Sequence, residues 1–146
     1  MILLDSTALV ATFLGEPAAQ EVESLLREGD GGITGPNLAE VIDVLVRVFG
    51  NDLEAVEARL VPLLATTLSV TAVGEAEGRR AAEIRIRQYH RRDNPLSLAD
   101  CLLLGTALVL GAAVATSDVP LARSARSEGL EVIALRDSAG KKPWIG

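Results

Sequence analysis

The chain has 146 residues, of which 49% are hydrophobic and only 3% aromatic, so it is long enough for one globular domain with an aliphatic core. A single cysteine and a single histidine exclude an intrachain disulfide framework and zinc sites of the Cys/His type, so any metal ion is expected to bind through oxygen. The net charge of −6 argues against indiscriminate binding of nucleic acid.

Strand and helix patterns alternate along the chain. In order, they predict a strand (2–4), a helix that Ser6 caps and Gly15 closes, a helix from Pro17 to Gly29, a strand (31–35), helices at 36–49 and 52–65, a strand (68–73), an Arg-rich helix over 79–92 broken at Pro95, a helix from Ser97 to Leu110, a strand (112–117), a helix from about Pro120 to Ser127, and a strand (131–135). The tail, 136–146, is expected to be loosely ordered.

Alternation of this kind predicts βαβ units, in which parallel strands are covered by helices on both faces. We therefore expect an α/β fold, a three-layer α/β/α sandwich with a mostly parallel central sheet. One domain is expected over 1–146, with its core at about 1–135. The amino terminus lacks the basic region of a signal peptide, and the apolar run 101–116 is too short for a membrane span, so a cytoplasmic protein is predicted.

Positive charge is concentrated in one stretch, RRAAEIRIRQYHRR (79–92). It contains Arg79, Arg80, Arg85, Arg87, Arg91 and Arg92 against a single acid, Glu83. A basic helix on an acidic body indicates a contact with RNA or with a protein partner. A solvated helix face explains the same pattern equally well.

Four acidic side chains are expected at one edge of the sheet. Asp5 and Asp118 follow predicted strands, whereas Glu40 and Asp100 lie in the first turns of predicted helices. Ligands of open α/β sheets bind beyond the carboxyl ends of the strands, where all four residues should converge. Their mutual repulsion is relieved most simply by Mg²⁺ or Mn²⁺, which would ionise a water molecule and shield a phosphodiester.

Helix capping is the alternative explanation for each acid. Asn37 and Ser97 are good N-cap residues, and the acid three positions after each completes a capping box. Asp118 is likewise a good N-cap. Capping explains any single acid as well as metal binding does, but it does not require acids at strand ends as well as in helix first turns.

Four segments resemble the PIN-domain nucleases: LLDSTALVATFLGE, NLAEVIDVL, LSLADCLLLGTA and VATSDVPLARSA. Their spacing and the chain length are most similar to those of VapC-type ribonuclease toxins of toxin–antitoxin pairs. The resemblance extends from Ile2 to about Leu135. It implies Mg²⁺-dependent cleavage of RNA, with Mn²⁺ as a substitute, leaving 5′-phosphate and 3′-hydroxyl ends. It also implies an antitoxin partner and a homodimer.

Site roles follow from the same resemblance. Asp5, Asp100 and Asp118 correspond to metal ligands, and Glu40 to a ligand or to the group that holds the nucleophilic water. The small hydroxyl residues near the metal correspond to Ser6 and to Thr116 or Ser117.

Other functions remain open. These are a PIN scaffold that only binds RNA or protein, and a housekeeping PIN nuclease. Haloacid-dehalogenase-like phosphatases and receiver domains fit poorly, because Thr7 stands where the former need a second Asp and the only lysines lie in the tail.

Overall fold

The computed structural model describes residues 1–144, which form one five-stranded sheet with helices on both faces. The strands are β1 (Ile2–Leu4), β2 (Gly31–Thr34), β3 (Leu68–Thr71), β4 (Ala113–Thr116) and β5 (Val132–Ala134). The helices are α1 (Ser6–Leu14), α2 (Ala19–Arg27), α3 (Gly35–Asp43), α4 (Leu53–Thr66), α5 (Glu75–Gln88), α6 (Leu98–Leu110) and α7 (Val119–Ser127). A π-helix, Val44–Val48, continues α3.

Every strand pair is parallel, and the strand order is β3-β2-β1-β4-β5. The chain moves outward from β1 to β3, then crosses back to β4 on the other side of β1. The direction of winding therefore reverses between β1 and β4, which is where open α/β sheets bind ligands. The predicted three-layer α/β/α architecture is confirmed.

The two faces of the sheet bury separate aliphatic cores, as the side-chain alternation of β-strands requires. In β1, Leu4 packs against the core formed with α1 to α4, whereas Leu3 packs against the core formed with α5, α6 and α7. Both leucines are fully buried. Within residues 1–144, no helix combines the length and the apolar character that crossing a membrane requires.

Two predicted N-caps are wrong. Asp5, not Ser6, caps α1 by accepting a hydrogen bond from the amide of Ala8. Thr34, not Asn37, caps α3, because the last residue of β2 leads directly into the helix. The predicted cap by Ser97 is correct, and so is that by Asp118.

The Arg-rich helix is displaced from its predicted range. It ends at Gln88, and Tyr89 adopts an extended conformation. His90 and Asn94 then exchange two backbone hydrogen bonds of 3.0 Å, which close a tight turn. Arg91 and Arg92 therefore lie in this turn and not on the helix.

The tail has no helix or strand within the described residues, yet it is attached to α2. Glu21 accepts hydrogen bonds from the Arg136 amide at 2.9 Å, and its carboxylate lies 2.9 Å from the Lys142 ammonium. Trp144 is 84% exposed, so it does not anchor the tail to this chain. The predicted tail also includes residues 145 and 146, which lie outside the described part.

Gly105 sets the distance between α5 and α6. A Cβ atom at this position would lie 2.6 Å from the Glu77 carbonyl oxygen and 2.8 Å from the Ala81 amide nitrogen. Because both atoms belong to the α5 backbone, the helices would have to separate. We expect Gly105→Ala to lower the free energy of unfolding by about 1–3 kcal/mol in urea denaturation.

Gly78, in the interior of α5, is the matched control because a Cβ atom there meets nothing within 4 Å. Gly78→Ala should raise the free energy of unfolding by about 0.5–1 kcal/mol through helix propensity alone. Shifts of the same sign in both variants would contradict the close packing of α5 on α6.

Candidate active site

The candidate site lies where β1 and β4 end side by side. Leu4 is paired with Ala115, and the amide of Asp5 donates to the Ala115 carbonyl at 3.2 Å. The Thr116 hydroxyl donates to the carboxylate of Asp5 and accepts from the amide of Asp118 at 2.9 Å. One hydroxyl thus connects two acidic residues that are more than a hundred positions apart in sequence.

Asp5 is the most deeply buried of the four predicted acids, with 2% of its surface exposed. Its carboxylate accepts hydrogen bonds from the Ala8 amide at 2.7 Å and from the Thr7 hydroxyl at 2.8 Å. Burial raises its pKa to about 6, against the lowering effect of these bonds, and the charge of Asp100 adds to the rise. A cation at this position would favour the ionised form.

Asp100 completes a capping box at the start of α6. It accepts a hydrogen bond from the Ser97 amide at 2.8 Å, and its own amide donates to the Ser97 hydroxyl at 3.0 Å. Partial burial raises the pKa of Asp100, and the charge of Asp118 raises it further, whereas that of Arg85 lowers it. Asp5, Asp100 and Asp118 therefore lie near enough to interact electrostatically.

Glu40 differs from the three aspartates because it caps no helix. It is the sixth residue of α3, which begins at Gly35, so it lies in the second turn and not in the first turn that the sequence predicted. Its Oε2 atom is buried and has no hydrogen-bond partner within residues 1–144. A buried carboxylate oxygen without a donor calls for an ion or a water molecule.

Glu40 and Asp118 line the same surface pocket, which also has an apolar wall. Its lining consists of Ser6, Thr7, Val10, Glu16, Glu40, Val44, Phe49, Ser117, Asp118, Asp137 and Ser138. Glu16 and Asp137 are acids that sequence reasoning missed. No local motif marks Glu16. Asp137 follows β5, and the amide of Leu135 donates to the Thr116 carbonyl at 2.9 Å, so its place beyond a strand end was the available signal.

The hydroxyl groups that were predicted near the acids, those of Ser6, Thr116 and Ser117, differ in their hydrogen-bond partners. Thr116 bonds to both Asp5 and Asp118, as described above, and Ser117 lies 3.4 Å from Thr7 across the pocket. Ser6 is buried and lines the pocket, but within the described chain its hydroxyl donates to none of the four acids. Thr7, which the prediction omitted, donates to Asp5 instead. Treating Asp5 as the N-cap would have indicated Thr7, since hydroxyls near helix starts bond to such carboxylates.

Four of the six predicted RNA-contact arginines are engaged within the protein. Arg79 pairs with Glu75, Arg80 with Glu83 and Arg87 with Glu128, at 2.7–3.0 Å. Arg85 donates to the Leu96 carbonyl and lies over the Tyr89 ring. Arg91 and Arg92 are exposed and form no ion pair within residues 1–144. Helix α5 is therefore not the uncompensated basic face that its composition indicates.

The oxygen donors suit a hard divalent cation, although their present orientation does not form a closed metal site. Within residues 1–144, no three acidic, histidine or cysteine side chains are arranged so that they could hold one ion. All three aspartates accept hydrogen bonds from amides at helix N-termini. Asp100 and Asp118 each use one oxygen for this, which leaves their second oxygen without a partner in the described chain. Together with Glu40 Oε2, these atoms are the donors that Mg²⁺ or Mn²⁺ prefers.

Comparison with known proteins supports the fold. The PIN domain family profile matches residues 2–138. No curated protein sequence matches the chain significantly. Similar solved structures include the FitAcB complex of Neisseria gonorrhoeae, with a TM-score of 0.68 at 23% identity, covering 91% of this chain and 96% of that one.

Two further structures extend the comparison. VapBC2 of Rickettsia felis, bound to a promoter DNA fragment, has a TM-score of 0.68 at 17% identity and covers 91% of this chain and 98% of that one. VapC20 of Mycobacterium tuberculosis, a toxin that cleaves the sarcin–ricin loop, has a TM-score of 0.59 at 18% identity, with 77% and 85% covered. At these identities the likeness establishes the fold.

The raised pKa of Asp5 predicts an unusual dependence of stability on pH. Because the pKa is about 6 in the folded protein and 3.8 in the unfolded chain, the folded state holds the extra proton between these values. Stability from this group is therefore greatest below pH 4 and is lost as the pH rises to about 6. Asp5→Asn removes the titration, so the variant should gain on the order of 3 kcal/mol relative to wild type from pH 4 to pH 7.

This difference is measured by urea unfolding in EDTA across that pH range. Asp43→Asn is the control, since Asp43 is surface-paired with Arg47, which lowers its pKa. Wild-type and Asp5→Asn stability curves that run parallel from pH 4 to pH 7 would show that Asp5 is not buried as described.

Proposed function

This chain belongs to the PIN domain family, and on that premise we propose that it is a Mg²⁺- or Mn²⁺-dependent endoribonuclease, the toxin of a toxin–antitoxin pair. The observation that carries the proposal is the convergence of acids at the switch point of the sheet. Thr116 joins Asp5 to Asp118, and the charge of Asp100 reaches both. Glu40 presents a buried oxygen that has no donor within residues 1–144. Toxin–antitoxin proteins among the structural neighbours favour the same function.

Asp5, Asp100 and Asp118 would hold the divalent ion, with Glu40 as a further ligand or as the residue that binds the attacking water. When bound, such an ion lowers the pKa of water and stabilises the charge that develops on a phosphodiester. The hydroxyls of Thr7 and Thr116 hold the Asp5 carboxylate in one orientation, which is the task of outer hydrogen-bond partners in metal sites.

Glu40 is suited to positioning a water molecule because, within residues 1–144, its Oε2 atom makes no hydrogen bond that would first have to break. Its Oε2 would accept a proton from the attacking water, while the aspartates remain engaged at their helix N-termini. In-line attack of that water on the phosphorus, with the 3′-oxygen as the leaving group, would leave a 5′-phosphate and a 3′-hydroxyl, which are the ends that the PIN resemblance implies.

The proposed partner is an antitoxin segment that covers the pocket. Its apolar wall, with Val10, Val44 and Phe49, suits hydrophobic side chains, and its acids suit an arginine placed among the carboxylates. A homodimer and a cytoplasmic location, where RNA and antitoxin are both present, complete the proposal.

Neutralising any of the four acids should abolish RNA cleavage. We expect Asp5→Asn, Glu40→Gln, Asp100→Asn and Asp118→Asn each to reduce the rate by more than about 100-fold, since even the outer partners of a metal contribute 10- to 100-fold. The rate is measured on purified protein with total cellular RNA in Mg²⁺, and EDTA should stop it.

Asp43→Asn is the matched control, since Asp43 follows Glu40 by three residues but pairs with Arg47 at the surface. It should retain wild-type activity. Cleavage that persists in Asp5→Asn or Asp100→Asn would refute the catalytic assignment. A wild-type protein that binds RNA but never cleaves it would favour a binding module.

Metal binding should depend on pH through Asp5. Because the pKa of Asp5 is about 6, protons compete with the ion below that pH, so affinity should fall up to tenfold per unit. We expect Mg²⁺ to raise the melting temperature clearly at pH 7.5 and little at pH 5. Asp5→Asn should lose this response and Asp43→Asn should keep it. An equal shift at both pH values in wild type would exclude Asp5 as a ligand.

A further inference from the structure

One strip of exposed arginines combines two residues of the Arg-rich stretch with two residues of α7, and only the latter two were not indicated by the sequence. Its members are Arg91 and Arg92 of the turn after α5, and Arg123 and Arg126 of α7. All four are exposed, and none has a carboxylate partner within residues 1–144. We refer to these four residues as the arginine strip.

The outer face of α7 provides half of the strip. Its inner face is buried through Leu121, Ala122, Ser124 and Ala125. Arg123 and Arg126 are three positions apart and therefore project from the same side of the helix. Three acids lie in the vicinity of the strip. Glu128 pairs with Arg87, and the Asp93 carboxylate lies 3.0 Å from the His90 imidazole. Glu131 lines a shallow cleft with Arg126 but forms no ion pair with it in the described chain.

The turn that carries Arg91 and Arg92 is fixed to α7. The Asn94 side-chain amide donates to the Ser124 hydroxyl at 3.0 Å and to the Gln88 carbonyl at 2.9 Å. Gln88 and Arg87 in turn bond to Glu128, at the end of α7. The turn and α7 are therefore held together, through Ser124 on the buried face of the helix and through Glu128 at its end, so the four arginines lie on connected parts of the fold.

Helix α7 begins at the candidate active site, because Asp118 is its N-cap. At 1.5 Å per residue, Arg123 and Arg126 follow Asp118 by about 7.5 and 12 Å along the helix axis. A substrate held at Asp118 that continues along α7 therefore passes the strip. On a chain with a net charge of −6, a polyanion needs such a local attraction.

We propose that the arginine strip binds the phosphate backbone of RNA on one side of the scissile bond, and that α5 does not. The inference rests on the proposed function, because it identifies where that substrate runs. Guanidinium groups bind phosphates bidentately, and such contacts add affinity without base preference. A strip of this kind sets the direction in which RNA leaves the acidic site and not the sequence that is cut.

The test compares three double variants that each remove two positive charges: Arg123→Gln/Arg126→Gln, Arg91→Gln/Arg92→Gln, and the control Arg79→Gln/Arg80→Gln, whose arginines already pair with Glu75 and Glu83. Each is made in the full chain together with Asp100→Asn, which prevents cleavage. Binding of a labelled single-stranded RNA oligonucleotide is followed by fluorescence anisotropy over a range of KCl concentrations. Thermal melting checks that every variant folds.

We expect each strip variant to bind at least tenfold more weakly at low salt, and its dependence of log K on log salt to become shallower by about 1.4, since each single-strand phosphate contact contributes about 0.7. The control should keep the wild-type slope. With Asp100 intact, the strip variants should show a raised KM and an unchanged kcat on long RNA, as expected when uniform binding is removed.

Equal losses in all three double variants would overturn the proposal, because they would reflect net charge alone. Unchanged RNA binding together with lost retention of a co-expressed antitoxin would also overturn it and assign the strip to the protein partner. Failure of the proposed function is distinguishable, since it appears as absent cleavage by the wild-type chain, whereas the strip is judged by binding.

Discussion

The register between β1 and β4 is the constraint on which the site depends. Because Leu4 lies opposite Ala115, the next residues along the two strands, Asp5 and Thr116, meet at the edge of the sheet. The Thr116 hydroxyl then donates a hydrogen bond to the Asp5 carboxylate and accepts one from the Asp118 amide. A slip of one residue would turn Leu3 and Leu4 to the wrong faces of the sheet and would separate Asp5 from Thr116 and Asp118. The two aliphatic cores that fix the register therefore also fix the positions of these acids.

Much of this arrangement follows from local sequence patterns. Short apolar runs between amphipathic segments predict parallel strands, and acids directly after such runs must lie at the carboxyl edge. Asp5 and Asp118 were therefore predictable as neighbours, and Ser97 with Asp100 forms the capping box that its spacing indicates. These features depend on residues at most a few positions apart.

The errors come from interactions that spacing does not contain. The N-cap of α3 is Thr34 and not the predicted Asn37, because the last residue of β2 carries a hydroxyl at the start of the helix. Glu40 therefore lies one turn further into α3 than the sequence predicted. Arg87 pairs with Glu128, 41 positions away, so the charge of α5 was overstated. In each case the deciding partner is remote in sequence or belongs to another type of element.

Capping and metal binding need not be alternatives for these acids. Three helices, α1, α6 and α7, direct their N-termini towards the acidic edge, and Asp5, Asp100 and Asp118 accept their amide hydrogen bonds. Each N-terminus carries a partial positive charge of about half a unit, which offsets part of the repulsion among the carboxylates. The compensation is incomplete, since burial and the neighbouring charge still raise the pKa of Asp5 to about 6. Glu40 caps no helix, so it receives none of this compensation. A divalent ion would neutralise the negative charge that the helix N-termini leave uncompensated. The same N-termini that lower the repulsion among the acids without a metal would then also hold them together to bind the ion.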